Sequence, residues 1–280
     1  VTDVRIYPQG VPSWIDTEQP DLRAAQEFYG GLFGWTFETV TPPGAPAYVI
    51  ARLDGREAAG LAQGDPDAVG ATSVAAWNTY VAVDDAGAVV ERVRAAGGRV
   101  VSEPQDAGDS GRSAACLDPS GAGFRLWQAR RRPGVQSVNV PGAWNFSDLH
   151  TGDRASAVAF YSAVFGWVFD DVGSATMVRV PGYGDHLEAT VDPDIRARQA
   201  GALVPPGFAD AVGWLGDAEP GSSSHWHVSF TVAERDATVA TAEKLGAGVL
   251  DVQDTQWTRT ALIRDPQGAQ FTASQFTPPA

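Results

Sequence analysis

The chain repeats itself, and this constrains its fold more than any other feature. Residues 21–38 read DLRAAQEFYGGLFGWTFE and residues 153–170 read DRASAVAFYSAVFGWVFD, sharing F-Y-x(3)-F-G-W-x-F. A second pair follows, WNTYVAVDDAGAVVERVRAAGG at 77–98 and WHVSFTVAERDATVATAEKLGA at 226–247. A third is LDPSGAGFRLWQ at 117–128 and RDPQGAQFTASQ at 264–275. Three blocks in the same order, twice, mean two copies of one domain. The expected division is a first domain over 1–129, a linker over 130–142 (RRRPGVQSVNVPG) and a second domain over 143–280. The stretch 193–224 has no counterpart of similar length in copy one and reads as an insertion or lid.

Each copy divides again. Asp21 and Asp153 are N-cap candidates ahead of apolar residues at helical spacing, and Gly34 and Gly166 end those helices. Asp84 or Asp85 opens a second helix that stops at Gly97. Short β-type runs follow, such as AYVIARL at 47–53 and GFRLWQ at 123–128. D-P-S-G and D-P-Q-G are tight turns, with proline fixing φ and glycine free to take φ > 0. The fold class is therefore α+β: four βαβββ units forming two cupped mixed sheets with covering helices.

Composition removes several functions. Twenty Lys and Arg against 34 Asp and Glu give a net charge of −14, which argues against a nucleic-acid or anionic-membrane partner. Cys116 is the only cysteine, so intramolecular disulfides and cysteine metal clusters are excluded. Lys244 is the only lysine, on an expected surface helix, which disfavours Schiff-base chemistry. The opening VTDVRIYPQG lacks the charged and apolar regions of a signal peptide, and no apolar run is long enough to span a bilayer. The expectation is a cytoplasmic protein. No G-x-S-x-G elbow, Walker loop, H-E-x-x-H or dinucleotide fingerprint occurs.

The F-Y-x(3)-F-G-W helix end, the V-x-V-D-D strand end and the D-P-x-G-A hairpin resemble the vicinal oxygen chelate superfamily, which includes glyoxalase I, bleomycin-resistance proteins and extradiol dioxygenases. The resemblance covers nearly the whole chain. The tandem form is similar to accessory proteins of aromatic polyketide and anthracycline pathways. It implies a glyoxalase/bleomycin-resistance-like fold with a cleft in each sheet. It also implies a divalent metal held by His and Glu on the first and last strands of a unit. Those positions fall at Trp14, Asn78 and Arg125 in copy one, and at Phe146, His227 and Thr272 in copy two. Only His227 keeps a ligand type, and one imidazole does not hold a catalytic metal. No metal and no cofactor are therefore expected.

Copy two carries all four histidines, His150, His186, His225 and His227. Strand alternation places Asp148 with His150, His186 with Glu188, and His225 with His227 on common faces. The same alternation assigns Trp14, Asp16, Asn78, Tyr80, Arg125 and Trp127 to the first cleft. It assigns Phe146, Asp148, His150, His227, Ser229, Thr272 and Ser274 to the second. His186, Trp257 and Trp214, the last in the insertion, complete the candidate ligand-binding set. Aromatic walls with sparse polar groups suit a planar small molecule. Trp35, Trp167, Trp77 and Trp226 read as core.

The expected function is metal-free binding of an aromatic or polycyclic natural product, for sequestration, self-resistance or product capture. The alternative is an enzyme acting on a polyketide-like substrate. It would be either cofactor-independent, with Asp148 or His150 as acid or base, or a glyoxalase-type lyase using His227. A biosynthetic oxygenase is the candidate protein partner, and the tandem copies suit a monomer or a homodimer.

Overall fold

The computed structural model describes residues 4–42, 44–64, 75–173, 175–200 and 204–277. Each copy supplies one eight-stranded mixed sheet. Copy one contains β1 (Pro12–Gln19), α1 (Leu22–Phe33), β2 (Thr36–Thr39), β3 (Tyr48–Leu53), β4 (Arg56–Gln63), β5 (Ala76–Ala82), α2 (Ala86–Ala95), β6 (Arg99–Asp106), β7 (Gly111–Leu117) and β8 (Gly123–Ala129). Copy two contains β9 (Trp144–Thr151), α3 (Arg154–Phe165), β10 (Val168–Asp171), β11 (Thr176–Arg179), α4 (Tyr183–Ala189), α5 (Ile195–Ala200), β12 (Ala211–Asp217), β13 (His225–Thr231), α6 (Arg235–Lys244), β14 (Gly248–Asp254), β15 (Thr258–Arg264) and β16 (Gln270–Phe276). The strand orders are β2-β3-β4-β1-β5-β8-β7-β6 and β10-β11-β12-β9-β13-β16-β15-β14. The four βαβββ units are thus present. Among the described residues no helix is long and apolar enough to cross a membrane.

Local chemistry sets the helix limits. Asp21 and Asp153 accept the backbone N–H groups of Ala24 and Ser156, each at 3.0 Å. Gly34 and Gly166 close those helices at φ 72° and 74°, where a side chain would strain the backbone. Asp85 caps α2 through the Ala88 N–H at 3.1 Å.

Two features of copy two differ from the sequence reading. The stretch 193–224 is not wholly an insertion. Its residues 211–217 form β12, which pairs parallel to β9 and antiparallel to β11 as a full member of the sheet. The extra material is α4, α5 and a 3-10 turn at Phe208–Asp210; positions 201–203 of the stretch lie outside the described residues. His186 and Glu188 do not alternate on a strand, because both lie on α4. Two positions apart on a helix, they point to nearly opposite sides rather than sharing one face.

The chain condenses into two compact units, each drawing on both copies. One unit combines 1–14, 79–134 and 147–226; the other combines 15–78, 135–146 and 227–280. In the first, α2 packs on α3; in the second, α1 packs on α6. The repeated aromatic residues fill these helix–sheet interiors. In the second unit Phe33, Trp35 and Trp77 pack against Phe230 at centroid separations of 4.9, 5.7 and 5.1 Å. In the first, Phe124 meets Phe160, Tyr161 and Phe165 at 6.0, 5.8 and 5.8 Å. Trp35, Trp77, Trp167 and Trp226 are all buried, as expected of core. The indole N–H groups of Trp35 and Trp167 donate to the carbonyls of Gly142 (2.8 Å) and Gly10 (2.7 Å). Each G-W repeat therefore ties a helix end to a neighbouring loop.

A buried polar lock recurs in each unit. Tyr29 donates to Asp265 at 2.8 Å and accepts from Trp77 Nε1 at 3.2 Å. Tyr161 donates to Asp118 at 3.2 Å and accepts from Trp226 Nε1 at 2.9 Å. The helix tyrosine of one copy thus meets the D-P-x-G turn of the other, and neither tyrosine has exposed surface.

Candidate functional site

In the second unit, Asp16 of β1 is a buried carboxylate with both oxygens engaged. Tyr48 donates its hydroxyl to Oδ2 at 3.0 Å, and Asn78 donates its amide to Oδ1 at 2.9 Å. Sheet register builds this arrangement. Asp16 lies beside Gly60 on β4, and Gly60 lies beside Ile50 on β3. Tyr48, two residues before Ile50, leans over Gly60 to reach the carboxylate. A Cβ at position 60 would overlap the Tyr48 hydroxyl. Gly60→Ala should therefore push the phenol off Asp16 and cost about 2 kcal/mol, measurable by denaturant unfolding. An unchanged midpoint would show that Tyr48 relaxes freely.

Other copy-one candidates lie in the first unit. Trp14, Tyr80 and Trp127 are buried. The Arg125 guanidinium sits 5.6 Å from the Tyr80 ring centre and donates to its hydroxyl at 3.3 Å. Trp127 meets Tyr80 edge-on at 6.4 Å and donates to the Arg132 carbonyl at 2.8 Å. Arg132 covers the Trp14 ring at 5.9 Å. These rings face arginines and one another, so the open aromatic wall expected in copy one is instead packed.

Copy two has a different arrangement in the first unit. Asp148 and His150 lie on β9, with Leu149 between them buried against Leu215 of β12. Asp148 and His150 therefore share the opposite face, beside Trp214 and Gly216. All of Asp148, His150 and Trp214 are partly exposed. The Trp214 backbone N–H donates to Asp148 Oδ1 at 3.1 Å, which is the one hydrogen bond of this carboxyl among the described residues. Burial pushes the Asp148 pKa up to about 7, and the Trp214 N–H acts against that rise. The His150 ring stacks on His225 at 5.2 Å and 8°. Burial, and then the neighbouring His225, hold the His150 pKa below its ordinary value, while the Asp217 carbonyl and Glu219 oppose this. Phe208 lies 6.3 Å from Trp214 and extends the apolar wall.

The remaining candidates are dispersed. In the second unit, His227 Nε2 is 2.8 Å from Thr272 Oγ1, and Phe146 is partly exposed on β9. Trp257 stacks on Phe276 at 6.5 Å and 13°. In the first unit, His186 Nε2 is 3.0 Å from the Ile6 carbonyl and holds the N-terminal segment against α4. Sequence reasoning missed Tyr48, Gly60 and Phe208. The signal for the first two lies in the register of β1, β3 and β4, which one sequence does not display.

With this geometry in place, known proteins supply the family. Residues 18–126 match the glyoxalase/bleomycin resistance protein/dioxygenase superfamily, and residues 146–274 match the glyoxalase-like domain. A putative glyoxylase, CFP32 of Mycobacterium bovis, is 36% identical over 97% of both chains. The chain belongs to the glyoxalase/bleomycin resistance protein/dioxygenase superfamily. The anthracycline biosynthesis protein DauV of a Streptomyces species is 33% identical over 96% of this chain and 94% of that protein. The Mn(II)-bound glyoxalase of Novosphingobium aromaticivorans shares the fold at a TM-score of 0.59 and 15% identity, covering 97% of this chain and 85% of its own.

The superfamily resemblance implies a divalent metal, and the residues at the corresponding positions do not fit one. Trp14 and Phe146 have no donor atom, and Arg125 stays protonated. Asn78 is committed to Asp16 and the His227 ring nitrogen to Thr272. Among the described residues no three His, Cys, Asp or Glu side chains are grouped to hold an ion.

Proposed function

We propose that this superfamily member binds a planar aromatic small molecule through the copy-two face carrying Asp148, His150 and Trp214. One observation carries the reading: the equivalent carboxyls of the two copies, Asp16 and Asp148, stand in different surroundings. Copy one packs its rings and engages both oxygens of its carboxylate. Copy two leaves an indole, a carboxyl and an imidazole partly exposed on one sheet face. Apolar surface for affinity with sparse polar groups for orientation is the composition of a small-molecule site. The anthracycline-pathway relative supports an aromatic polyketide as the ligand class, held for sequestration, self-resistance or product capture.

Titration with planar polycyclic aromatic compounds should quench tryptophan fluorescence. Trp214→Ala should weaken the tightest binder about tenfold, the effect of losing one stacking surface. Binding that is unchanged by Trp214→Ala would place the ligand elsewhere, and no binding across the panel would refute the reading.

A second reading has its own observation. A carboxyl with a pKa of about 7 is matched to general acid–base work, so cofactor-independent proton transfer by Asp148 is the enzyme alternative. Turnover of a polyketide-type substrate by chelator-treated protein, abolished in Asp148→Asn, would support it.

A further inference from the structure

Asp16 and Asp148 hold the same place in the two copies. In copy one the surroundings include Tyr48, Gly60 and Asn78. In copy two, strand register puts Ala175 where copy one has Tyr48 and Trp214 where it has Gly60. The sequence repeat puts His227 where copy one has Asn78. Both side chains that hold the Asp16 carboxylate are thus replaced. Asp148 retains one backbone N–H, on Oδ1, and its Oδ2 accepts no hydrogen bond among the described residues. A charge with one donor on an apolar wall is poorly stabilised, whereas a proton on Oδ2 removes the charge and creates an O–H donor. The wall is the Trp214 indole, continued by Phe208, with the His150–His225 stack further along the same strand face.

We infer that Asp148 is the polar anchor of the copy-two site, its protonated Oδ2 donating to a carbonyl oxygen of a planar aromatic ketone or quinone lying against Trp214. This rests on the aromatic-ligand reading above and adds what the ligand must carry. A bare aromatic hydrocarbon would leave the Oδ2 hydroxyl without an acceptor, and a ligand phenolate would be repelled once the carboxyl ionises. Copy one cannot serve in this way, because its equivalent carboxylate already accepts from Tyr48 and Asn78.

Binding should depend on pH. Burial raises the Asp148 pKa to about 7, and the Trp214 N–H is the opposing influence. Within this unit the charged and titratable side chains of the flanking strands are Asp217 of β12 and His225 of β13, with His150 on β9 itself. Asp217 is held by Arg154 at 2.6 Å. As pH rises through 7, Asp148 loses the proton that the ligand carbonyl needs.

The test compares 9-fluorenone with fluorene, which has the same ring frame without the carbonyl. Affinities are read by tryptophan fluorescence with the full chain at about pH 6 and about pH 8.5, on either side of the Asp148 titration. Fluorenone should bind about tenfold more tightly than fluorene at the lower pH, and that preference should largely vanish at the higher pH. Asp148→Asn, which keeps an N–H donor at all pH values, should preserve the preference without pH dependence. Asp148→Leu should abolish it at both pH values, with thermal melts confirming that the variants fold. Equal affinity for the two probes at about pH 6, or a preference that survives in Asp148→Leu, would overturn the anchor while leaving the aromatic site standing. If neither probe binds, both the anchor and the aromatic-ligand reading fail.

Discussion

Replacing Asp265 with alanine should destabilise the protein by about 4 kcal/mol, the largest effect expected of any single site discussed. This carboxylate, in the D-P-Q-G turn, is 4% exposed. It accepts from Tyr29 Oη at 2.8 Å and from Gln19 Nε2 at 2.8 Å. It also accepts the backbone N–H groups of Gln267, Gly268 and Ala269 at 2.9, 2.7 and 2.9 Å. Alanine leaves the Tyr29 hydroxyl and the Gln267 and Ala269 N–H groups without this acceptor, while Gly268 keeps the backbone carbonyl of residue 265 at 3.1 Å and Gln19 keeps Thr17 at 2.8 Å. Each buried unmet donor costs about 1–3 kcal/mol before relaxation. The same change at Asp118 should cost about 1 kcal/mol less, because its Tyr161 contact is longer at 3.2 Å and Ser120 can turn to water. Asp265→Asn should fall between wild type and alanine. It keeps one oxygen for the turn amides but sets an NH2 against the Tyr29 and Gln19 donors. Urea unfolding of the three variants checks the order, and an Asp265→Ala midpoint equal to wild type would show that the turn holds without the carboxylate.

The same residues show what the sequence made legible. The repeated helix was readable because its start, end and tie are all local: Asp21 and Asp153 cap it, Gly34 and Gly166 close it, and the following tryptophan anchors it. The D-P-x-G turns were readable for the same reason. Their partners were not, because Tyr29–Asp265 and Tyr161–Asp118 join residues 236 and 43 positions apart. An amphipathic helix declares that it has an apolar face without declaring which helix meets it. This is why the grouping of α1 with α6 and α2 with α3 is a property of the structure. Strand β12 was hidden by its two glycines in AVGWLGD, which read as loop. Helix α4 was hidden by its shortness and by the strand alternation assumed for His186 and Glu188. At the candidate site, alternation correctly paired Asp148 with His150 on one face of β9. It could not show that Asp16 is locked and Asp148 is not, because Tyr48 and Gly60 reach Asp16 through sheet register.

That difference between the two carboxyls sets the second large effect: Asp148→Asn should stabilise the protein above neutral pH. The Asp148 pKa is about 7 in the folded chain against an ordinary value of 3.8. Below the ordinary value, folded and unfolded chains are both protonated and the group contributes no pH dependence. Between the two values the folded chain holds the proton more tightly than the unfolded chain. Wild-type stability therefore falls as pH rises from about 4 to about 7, then levels once both states are ionised. A shift of this size is worth up to about 4 kcal/mol at one pKa unit per 1.36 kcal/mol, and partial solvent contact reduces it to about 2–3 kcal/mol. Asparagine has the same shape, can still accept the Trp214 N–H, and does not ionise. Its advantage over wild type should be near zero at about pH 4 and reach about 2–3 kcal/mol at about pH 8. Asp16→Asn should move the other way, since it replaces a carboxylate that accepts from Tyr48 and Asn78 with a group carrying its own donors. Paired unfolding curves across that range decide the matter. A pH-independent difference between wild type and Asp148→Asn would mean that Asp148 ionises normally, and the copy-two carboxyl would then be an ordinary solvated acid rather than a poised one.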